Sequence, residues 1–374
     1  MCTFGCSEAP ETIVERDPLG SGPYPVASTN MEIDPAHVDI GDDVMHEYLT
    51  GRSTDSGQSR FIADILRYPE AAWVTDVKVP DSEALYGPAS GTTLPVVSFI
   101  AFPSSEESPR ESYSFPFHDA AYGRFDNMLG PGEEPKFANP DQRYPLIILS
   151  HGSNAHGIYD VAHAYDLASH GFIVAVITYG DDRTTKADEA NFHVGYLRPL
   201  ITKAVLDSLL ASSSFGPHID ANNIGVSGFS FGGFTALAIA GGAIEGNSSS
   251  VSDTRIKAAV VAAPWVGGVY GDESYFAFGP NNTGLNHIDI PVIALFGTND
   301  EVTHSSFLLP AMKELAGPAY LVELMDQTHA LEEGSRLRSG DVTRLLQCKA
   351  AIVCLGQRIG FFRFVHAALL PGSG

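Results

Sequence analysis

The stretch that most constrains the fold is Gly228-Phe229-Ser230-Phe231-Gly232-Gly233. The apolar residues 224–227 before it predict a short buried strand, and residues 234–243, rich in alanine, leucine and isoleucine, predict a closely packed helix. Glycines on either side of Ser230 have no Cβ, so the strand and the helix can approach each other closely. A serine at such a corner adopts a strained backbone that lifts its hydroxyl above the sheet. The stretch therefore predicts a strand–turn–helix corner with Ser230 at its apex. The competing interpretation is a Gly/Ser turn without chemistry.

From residue 145 onward, short apolar runs alternate with segments of helical periodicity. This alternation predicts an α/β fold with a mostly parallel central sheet and helices on both faces. In such a sheet, functional side chains gather at the carboxyl ends of the strands. The predicted strands are 146–150, 172–178, 224–227, 258–263, 291–296 and 319–324, and the predicted helices are 158–170, 192–212, 234–243, 305–315 and 342–370. The candidate residues that follow predicted strands are Ser153, Ser230, Trp265, Asp300 and His329.

The chain divides into a loop-rich extension at 1–90, packed on the core, and an α/β domain at 91–374. Further strands are predicted at 73–79 and 94–101, ahead of an insertion at 103–144 that is rich in Ser, Pro, Gly and charge but dotted with aromatic residues. This composition fits either a lid or substrate wall, or a surface excursion whose aromatic side chains anchor it to the body.

Charge narrows the range of partners. The formal net charge is -23 at pH 7, with 22 Lys and Arg against 45 Asp and Glu. A chain this acidic is a poor partner for nucleic acid or for an anionic membrane surface. No stretch is long and apolar enough to span a membrane, and no secretory signal peptide is visible, although a leader removed from the chain would not be seen. The oligomeric state is left open.

The four cysteines, Cys2, Cys6, Cys348 and Cys354, lie far from the Ser230 corner in sequence. Each close pair fits either a local disulfide or two free thiols. No spacing of cysteine with histidine suggests a metal site, so we expect neither a metal nor another cofactor.

A serine hydroxyl needs a base to take its proton, and the base needs an acid to orient it. The order Ser230, Asp300, His329 is the Ser–acid–His order of one large hydrolase fold. Asp300 ends a Gly-Thr-Asn-Asp turn after an apolar strand, where it fits either a triad acid or a residue that caps the next helix. Asp326 is the rival acid, placed three residues before His329.

The remaining candidates concern the base, the oxyanion and the substrate. His287 and His304 compete with His329 as base but precede the last predicted strand. In this fold, backbone N–H groups bind the oxyanion, one from the residue after the nucleophile and one from the loop after an earlier strand. These donors are predicted at Phe231 and Ser153. His151, in the same loop as Ser153, is interpreted as structural rather than as a base. Trp265 fits either an aromatic wall of the site or a core tryptophan.

These motifs resemble the dienelactone hydrolase-like branch of the α/β-hydrolases, which includes platelet-activating-factor acetylhydrolase-like esterases and lies near bacterial cutinase-like polyester hydrolases. The resemblance spans roughly residues 90–335, with a weaker match at 22–26. The matching motifs are Gly22-Pro23-Tyr24-Pro25-Val26, Tyr144-Pro145-Leu146-Ile147-Ile148-Leu149-Ser150-His151-Gly152, Leu167-Ala168-Ser169-His170-Gly171-Phe172-Ile173-Val174, Gly228-Phe229-Ser230-Phe231-Gly232-Gly233, Ala263-Pro264-Trp265 and Gly297-Thr298-Asn299-Asp300.

The resemblance implies an α/β-hydrolase fold and assigns roles to the candidate residues. Ser230 would be the nucleophile, Asp300 the acid and His329 the base. Phe231 and Ser153 would be the oxyanion donors, and Trp265 would match the tryptophan that lines the site of polyester hydrolases. The chain departs from polyester hydrolases at Ser153, where they usually have an aromatic residue, and at Phe229 and Phe231, where they have His and Met.

These features together predict a metal-free serine esterase that works through an acyl-enzyme. The expected substrates are short- to medium-chain or aromatic esters, small or polymeric, with promiscuous cleavage of polyesters left open. The alternatives are an acyltransferase, a perhydrolase or a peptidase with the same triad, since fold does not decide among these reactions. A further alternative, of another class, is a non-catalytic binding protein on the same scaffold.

Overall fold

The computed structural model of the chain describes residues 21–29, 72–106, 111–114, 124–130, 132–153, 155, 157–179, 193–244, 251–270, 272–324 and 327–329. The predicted helix at 342–370, the four cysteines and the rival acid Asp326 lie outside these residues, and so does much of the predicted extension at 1–90.

The central feature of the described residues is a mixed sheet of eleven strands. Its order is β13-β12-β9-β8-β6-β7-β3-β1-β5-β4, with β2 also paired to β3, while β10 and β11 form a separate hairpin. The strands are β1 (Val26–Ser28), β2 (Trp73–Lys78), β3 (Thr93–Pro103), β4 (Glu111–Ser114), β5 (Arg124–Met128), β6 (Tyr144–Ser150), β7 (Ile173–Thr178), β8 (Ile219–Phe229), β9 (Ile256–Ala262), β10 (Gly267–Tyr270), β11 (Glu273–Phe276), β12 (Val292–Gly297) and β13 (Ala319–Leu324).

Strands β7, β6, β8, β9, β12 and β13 pair in parallel, whereas β3 runs antiparallel to β7 and β2 antiparallel to β3. Every residue of β7 and β12 is buried, as expected for parallel strands that are covered on both faces. The predicted α/β-hydrolase fold with a mostly parallel sheet is confirmed.

The α-helices among the described residues are α1 (Glu83–Tyr86), α2 (Val161–Ser169), α3 (His193–Ala211), α4 (Phe231–Ala240) and α5 (Ser305–Lys313). Helices cover both faces of the sheet. Phe99 of β3 contacts Tyr165 of α2 at 5.5 Å between ring centroids, and Phe102 contacts Phe215, just beyond α3, at 5.6 Å. Residues three apart in a strand point to opposite faces, so α2 and the end of α3 lie on opposite sides.

Most predicted elements from residue 145 to 324 are present, with shifted ends. Strand β8 begins five residues earlier than the apolar run indicates, because Ile219 already pairs with Tyr144 of β6 while the exposed Ala221 and Asn222 interrupt the apolar pattern. Helix α4 begins directly after Ser230 rather than at 234, because its first turn contains glycines that reduce helix propensity but permit close packing. The hairpin of β10 and β11 and the short strands β1, β4 and β5 were not predicted.

The described part of the 103–144 insertion extends the sheet rather than covering the predicted site. Strand β5 joins β1 through the pair Ser28 and Met128, and Ser28 also pairs with Ala101 of β3. Since β3 is antiparallel, Ala101 lies opposite Val174, near the amino ends of the parallel strands. Phe137 is buried and packs at 5.0 Å from Phe102 between ring centroids. For these residues the structure favours a surface segment whose aromatic side chains pack on the body of the domain, rather than a lid over the predicted site.

Candidate active site

Ser230 occupies the corner that the sequence predicts. Its backbone has φ 52° and ψ -118°, a conformation that non-glycine residues rarely adopt. The glycines make the corner possible, because a Cβ on Gly228 would lie 2.2 Å from the carbonyl oxygen of Gly232. The Ser230 carbonyl accepts a hydrogen bond of 2.9 Å from the Trp265 N–H, and the Ser230 N–H donates to Ala262 at 2.9 Å. The predicted strained corner is present, held by its neighbours on both sides.

Asp300 follows β12 with its side chain 1% exposed. Its Oδ1 accepts hydrogen bonds from the N–H groups of Val302 at 2.9 Å and Thr303 at 2.8 Å. Its Oδ2 accepts from the Thr303 hydroxyl at 2.7 Å and from His329 Nδ1 at 2.9 Å. One oxygen therefore organises the turn while the other reaches the histidine. The cap of the next helix is His304 rather than Asp300, and the role of Asp300 as triad acid stays a prediction.

The same contacts fix the charge of Asp300. Burial on its own would raise the pKa of this carboxyl, but the hydrogen bonds from His329 and Thr303 outweigh it and lower the pKa to about 2. Asp300 is therefore a carboxylate at neutral pH, and it can accept the Nδ1 proton of His329.

His329 connects Asp300 to Ser230. With its Nδ1–H donated to Asp300, its Nε2 is the acceptor for the Ser230 hydroxyl, 3.0 Å away. The segment that carries His329 is tied to the end of β12, where the Asn299 N–H donates to the Gln327 carbonyl at 2.9 Å. A Cβ on Gly297 would lie 2.2 Å from that same carbonyl oxygen. The structure thus brings Ser230, Asp300 and His329, residues far apart in the chain, into one hydrogen-bonded series.

The rival histidines lie elsewhere. His304 caps α5, where its Nδ1 accepts the Ser306 N–H at 3.1 Å, and its side chain is exposed. His287 is exposed at the end of the 3₁₀ segment Pro280–His287.

Trp265 is half-buried beside the corner. Its ring stacks on Tyr275 of β11, with centroids 5.8 Å apart, and lies 5.6 Å from the ring of Phe231. Phe234 extends the same aromatic cluster at 5.7 Å from Trp265. The side chain therefore belongs to the core on one side and adjoins the residue after Ser230 on the other. The role of Trp265 as a wall for substrate stays a prediction.

The loop after β6 packs against the start of α4. A Cβ on Gly232 would lie 1.9 Å from the Ser150 carbonyl oxygen and 2.6 Å from that of His151. His151 and Gly152 are buried, whereas Ser153 is exposed. The two predicted oxyanion donors, Ser153 and Phe231, are therefore carried by two backbone segments in direct contact. Their function as donors stays a prediction.

His151 lies beneath this loop with a defined tautomer. Its Nε2 accepts the N–H of Tyr179 at 3.2 Å, so its Nδ1 carries the proton and donates to the Gly152 carbonyl at 2.8 Å. Burial, and then the charge of Arg198, hold the pKa of His151 well below its usual range. A buried neutral imidazole that bonds backbone on both sides fits the structural role predicted for it.

Arg198 and Thr303 contact the predicted site and were not predicted from the sequence. Arg198 lies on α3, fully buried, and donates from Nη1 to the His151 carbonyl at 2.7 Å and from Nη2 to the Gly152 carbonyl at 3.0 Å. The one signal that pointed to Arg198 was a cation inside a largely apolar helix. Thr303 had a local signal, since it stands three residues after an Asp in a predicted turn.

Among the described residues, no group of three or more His, Cys, Asp or Glu side chains is placed to hold a metal ion. In the same part of the chain, no helix has the length and apolar character needed to cross a bilayer.

Comparison with known proteins gives one family and several relatives. A family model described as platelet-activating factor acetylhydrolase, isoform II, matches residues 122–190, which include the loop after β6 but not Ser230, Asp300 or His329. The chain is similar to a platelet-activating factor acetylhydrolase of Bos taurus, at 35% identity over 85 residues, which make up 20% of this chain and 19% of that protein. The match thus spans about a fifth of the relative's length.

Solved structures with similar architecture include a ferulic acid esterase from Streptomyces cinnamoneus, with 20% identity, a TM-score of 0.49 and coverage of 70% of this chain and 74% of that one. A dienelactone hydrolase from Anabaena variabilis ATCC 29413 has 15% identity, a TM-score of 0.42 and coverage of 76% and 97%. The resemblance to platelet-activating-factor acetylhydrolases is confirmed over the matched residues, whereas the likeness to dienelactone hydrolases is one of architecture. The further likeness to cutinase-like polyester hydrolases stays a prediction.

Proposed function

We propose that this α/β-hydrolase hydrolyses carboxylic esters with Ser230 as its nucleophile. The observation that carries the proposal is the continuous series from Ser230 Oγ through His329 to Asp300, with separations of 3.0 Å and 2.9 Å, at a strained strand–helix corner. The matches to acetylhydrolases support ester hydrolysis by a serine enzyme at a general level.

The reaction follows from the hydrogen-bond directions. As Ser230 Oγ attacks the ester carbonyl, its proton passes to His329 Nε2, and the charge that forms on the imidazole lies against the Asp300 carboxylate. The carbonyl oxygen becomes an oxyanion, for which the N–H groups of Phe231 and Ser153 are the proposed donors. His329 then returns the proton to the departing alcohol, which leaves an acyl group on Ser230. Water then attacks the acyl carbonyl as His329 takes its proton, and His329 passes that proton to Ser230 Oγ as the carbon–oxygen bond to the serine breaks and the acid leaves.

The expected acyl groups are short to medium in length or aromatic. Helix α4 directly behind the corner is fully packed, with residues 232–239 buried. The stacked Trp265 and Tyr275 beside Phe231 offer an apolar surface suited to a compact acyl chain or ring. The bovine relative is named for removal of an acetyl group, which agrees with a small acyl site.

The test is hydrolysis of p-nitrophenyl esters over a series of acyl lengths by the wild type and by Ser230→Ala. We expect kcat to fall by at least about a thousandfold, because the residual rate comes only from binding and the oxyanion site. Ser227→Ala, in the same strand, is the matched control and should keep full activity. Equal turnover by Ser230→Ala and the wild type would refute the proposal. Faster turnover of long-chain esters than of butyrate would refute the acyl-size part alone.

A further inference from the structure

Arg198 of α3 binds the loop after β6 (residues 151–153, the oxyanion loop) through the carbonyls of His151 and Gly152. We propose that Arg198 is a positioning residue of the reaction, which turns the peptides of Gly152 and Ser153 so that their N–H groups face the developing oxyanion. This inference rests on the proposed function and names a part of its machinery that touches no substrate atom.

The planar peptide bond fixes the direction in which the N–H groups of Gly152 and Ser153 point. In a trans peptide the C=O and the next N–H point in opposite directions, and the described chain has no cis peptide. Arg198 holds the carbonyls of His151 and Gly152 at 2.7 Å and 3.0 Å. The N–H groups of Gly152 and Ser153, which share those two peptides, therefore point away from Arg198. One planar guanidinium thus sets the orientation of two consecutive peptides.

The charge of Arg198 also strengthens these N–H groups as donors. A hydrogen bond from a cation polarises the peptide that accepts it, so that its N–H becomes a stronger donor at the other end. Arg198 is 0% exposed, so water does not screen this effect. Its charge is thereby relayed through two peptide dipoles toward the place where negative charge forms in the transition state.

The surroundings fix Arg198 itself. Its guanidinium carbon lies 4.7 Å from the ring centroid of Tyr179 and 4.9 Å from that of Phe231, the residue that carries the other proposed donor. The Tyr179 hydroxyl bonds both Ser150 Oγ at 2.7 Å and Thr202 Oγ1 at 2.7 Å. The loop after β6 and the residue Phe231, which carry the two predicted oxyanion donors, are therefore both in contact with the buried Arg198, and Tyr179 packs against Arg198.

The test compares Arg198→Met and Arg198→Lys with the wild type. We expect Arg198→Met to lower kcat by about 10- to 100-fold with KM nearly unchanged, because a misplaced donor weakens only the transition state. Arg198→Lys keeps the charge but cannot donate to two carbonyls from one planar group, so its kcat should lie between those of the wild type and Arg198→Met. The rate at which a fluorophosphonate labels Ser230 should fall by a similar factor as kcat, since the phosphoryl oxygen of the probe needs the same N–H donors.

Rescue separates positioning from folding. In Arg198→Ala, millimolar guanidinium should restore much of the lost kcat, whereas ammonium should not. Lys203→Met, which removes an exposed cation from the same helix, should leave kcat within about twofold. Unchanged kcat and labelling in folded Arg198→Lys and Arg198→Met would overturn the inference, as would a loss that guanidinium does not rescue. A wild type that neither turns over esters nor labels at Ser230 would overturn the proposed function instead.

Discussion

Two buried charges of opposite sign flank the Ser230 corner, and they are held in different ways. Asp300 is satisfied mainly by its own turn, through Val302 and Thr303, with only His329 reaching it from a distant part of the chain. Arg198 is satisfied by carbonyls 46 and 47 residues away in sequence. The anion holds a side chain, that of His329, whereas the cation holds a stretch of backbone, the carbonyls of His151 and Gly152.

The two halves of the site should therefore respond differently to substitutions. A side chain such as His329 can lose its orientation when a single hydrogen bond changes, because rotation about its own bonds is easy. The loop after β6 is held by Arg198 and also by the close contact of Gly232 with two carbonyls. We therefore expect substitutions at Asp300 to lower activity by removing a charge, and substitutions near the loop after β6 to lower activity by moving the loop.

The largest effect should come from Asp300→Asn. The amide can still accept from the turn, but it brings no negative charge to His329 and favours the wrong tautomer of the imidazole. We expect kcat to fall by about 10³- to 10⁴-fold with the fold intact, as measured with a p-nitrophenyl ester and circular dichroism. Asp253→Asn, at a buried carboxylate paired with Arg255 away from the site, is the control and should change stability but not kcat. A loss below tenfold in Asp300→Asn would contradict the role of Asp300.

A smaller effect should come from Gly232→Ala, which tests the oxyanion side. The new Cβ would lie 1.9 Å from the Ser150 carbonyl oxygen, so the loop must move. A displacement on the order of 1 Å lowers kcat by about 100-fold. Gly225→Ala is the matched control, because its Cβ would meet only the Ala258 carbonyl at an ordinary 3.7 Å. Equal kcat values for the two alanine variants would show that the close contact does not position the loop.

The smallest effect concerns stability and pH. The folded pKa of Asp300 is about 2, below its usual value of 3.8, so its contribution is fully present above pH 4 and is lost as the pH falls toward 2. This contribution amounts to about 2 kcal/mol. Urea unfolding at several acidic pH values should therefore show the advantage of the wild type over Asp300→Asn shrinking across this window. An advantage that stays constant would mean that the carboxylate is not preferentially stabilised in the folded state.

The same contrast explains what the sequence could predict. The turn around Asp300, the corner at Ser230 and the apolar strands are local patterns, so their positions follow from neighbouring residues. The parallel order of the strands brings Ser230, Asp300 and His329 to one edge without any knowledge of side-chain contacts. That much of the fold and of the candidate site was predictable.

Long-range contacts account for what was missed. Nothing near Arg198 in sequence indicates that its partners are the carbonyls of His151 and Gly152. The strands β1 and β5 are short, and each is placed by a distant partner, since β1 pairs with β3 and β5 pairs in turn with β1. Residues of this kind are recognised by what packs against them, which a pattern along the chain does not record.

The strained backbone of Ser230 has a consequence for measurement. Its left-handed conformation persists only while β8, α4 and the segment at Trp265 are docked on one another, since the cost of such strain is met by these contacts. In a chain that has not completed this assembly, Ser230 lacks the conformation from which we expect its reactivity. Titration with a covalent serine probe would therefore count native molecules in a preparation where absorbance counts all of them, and the ratio of the two would report the quality of folding directly.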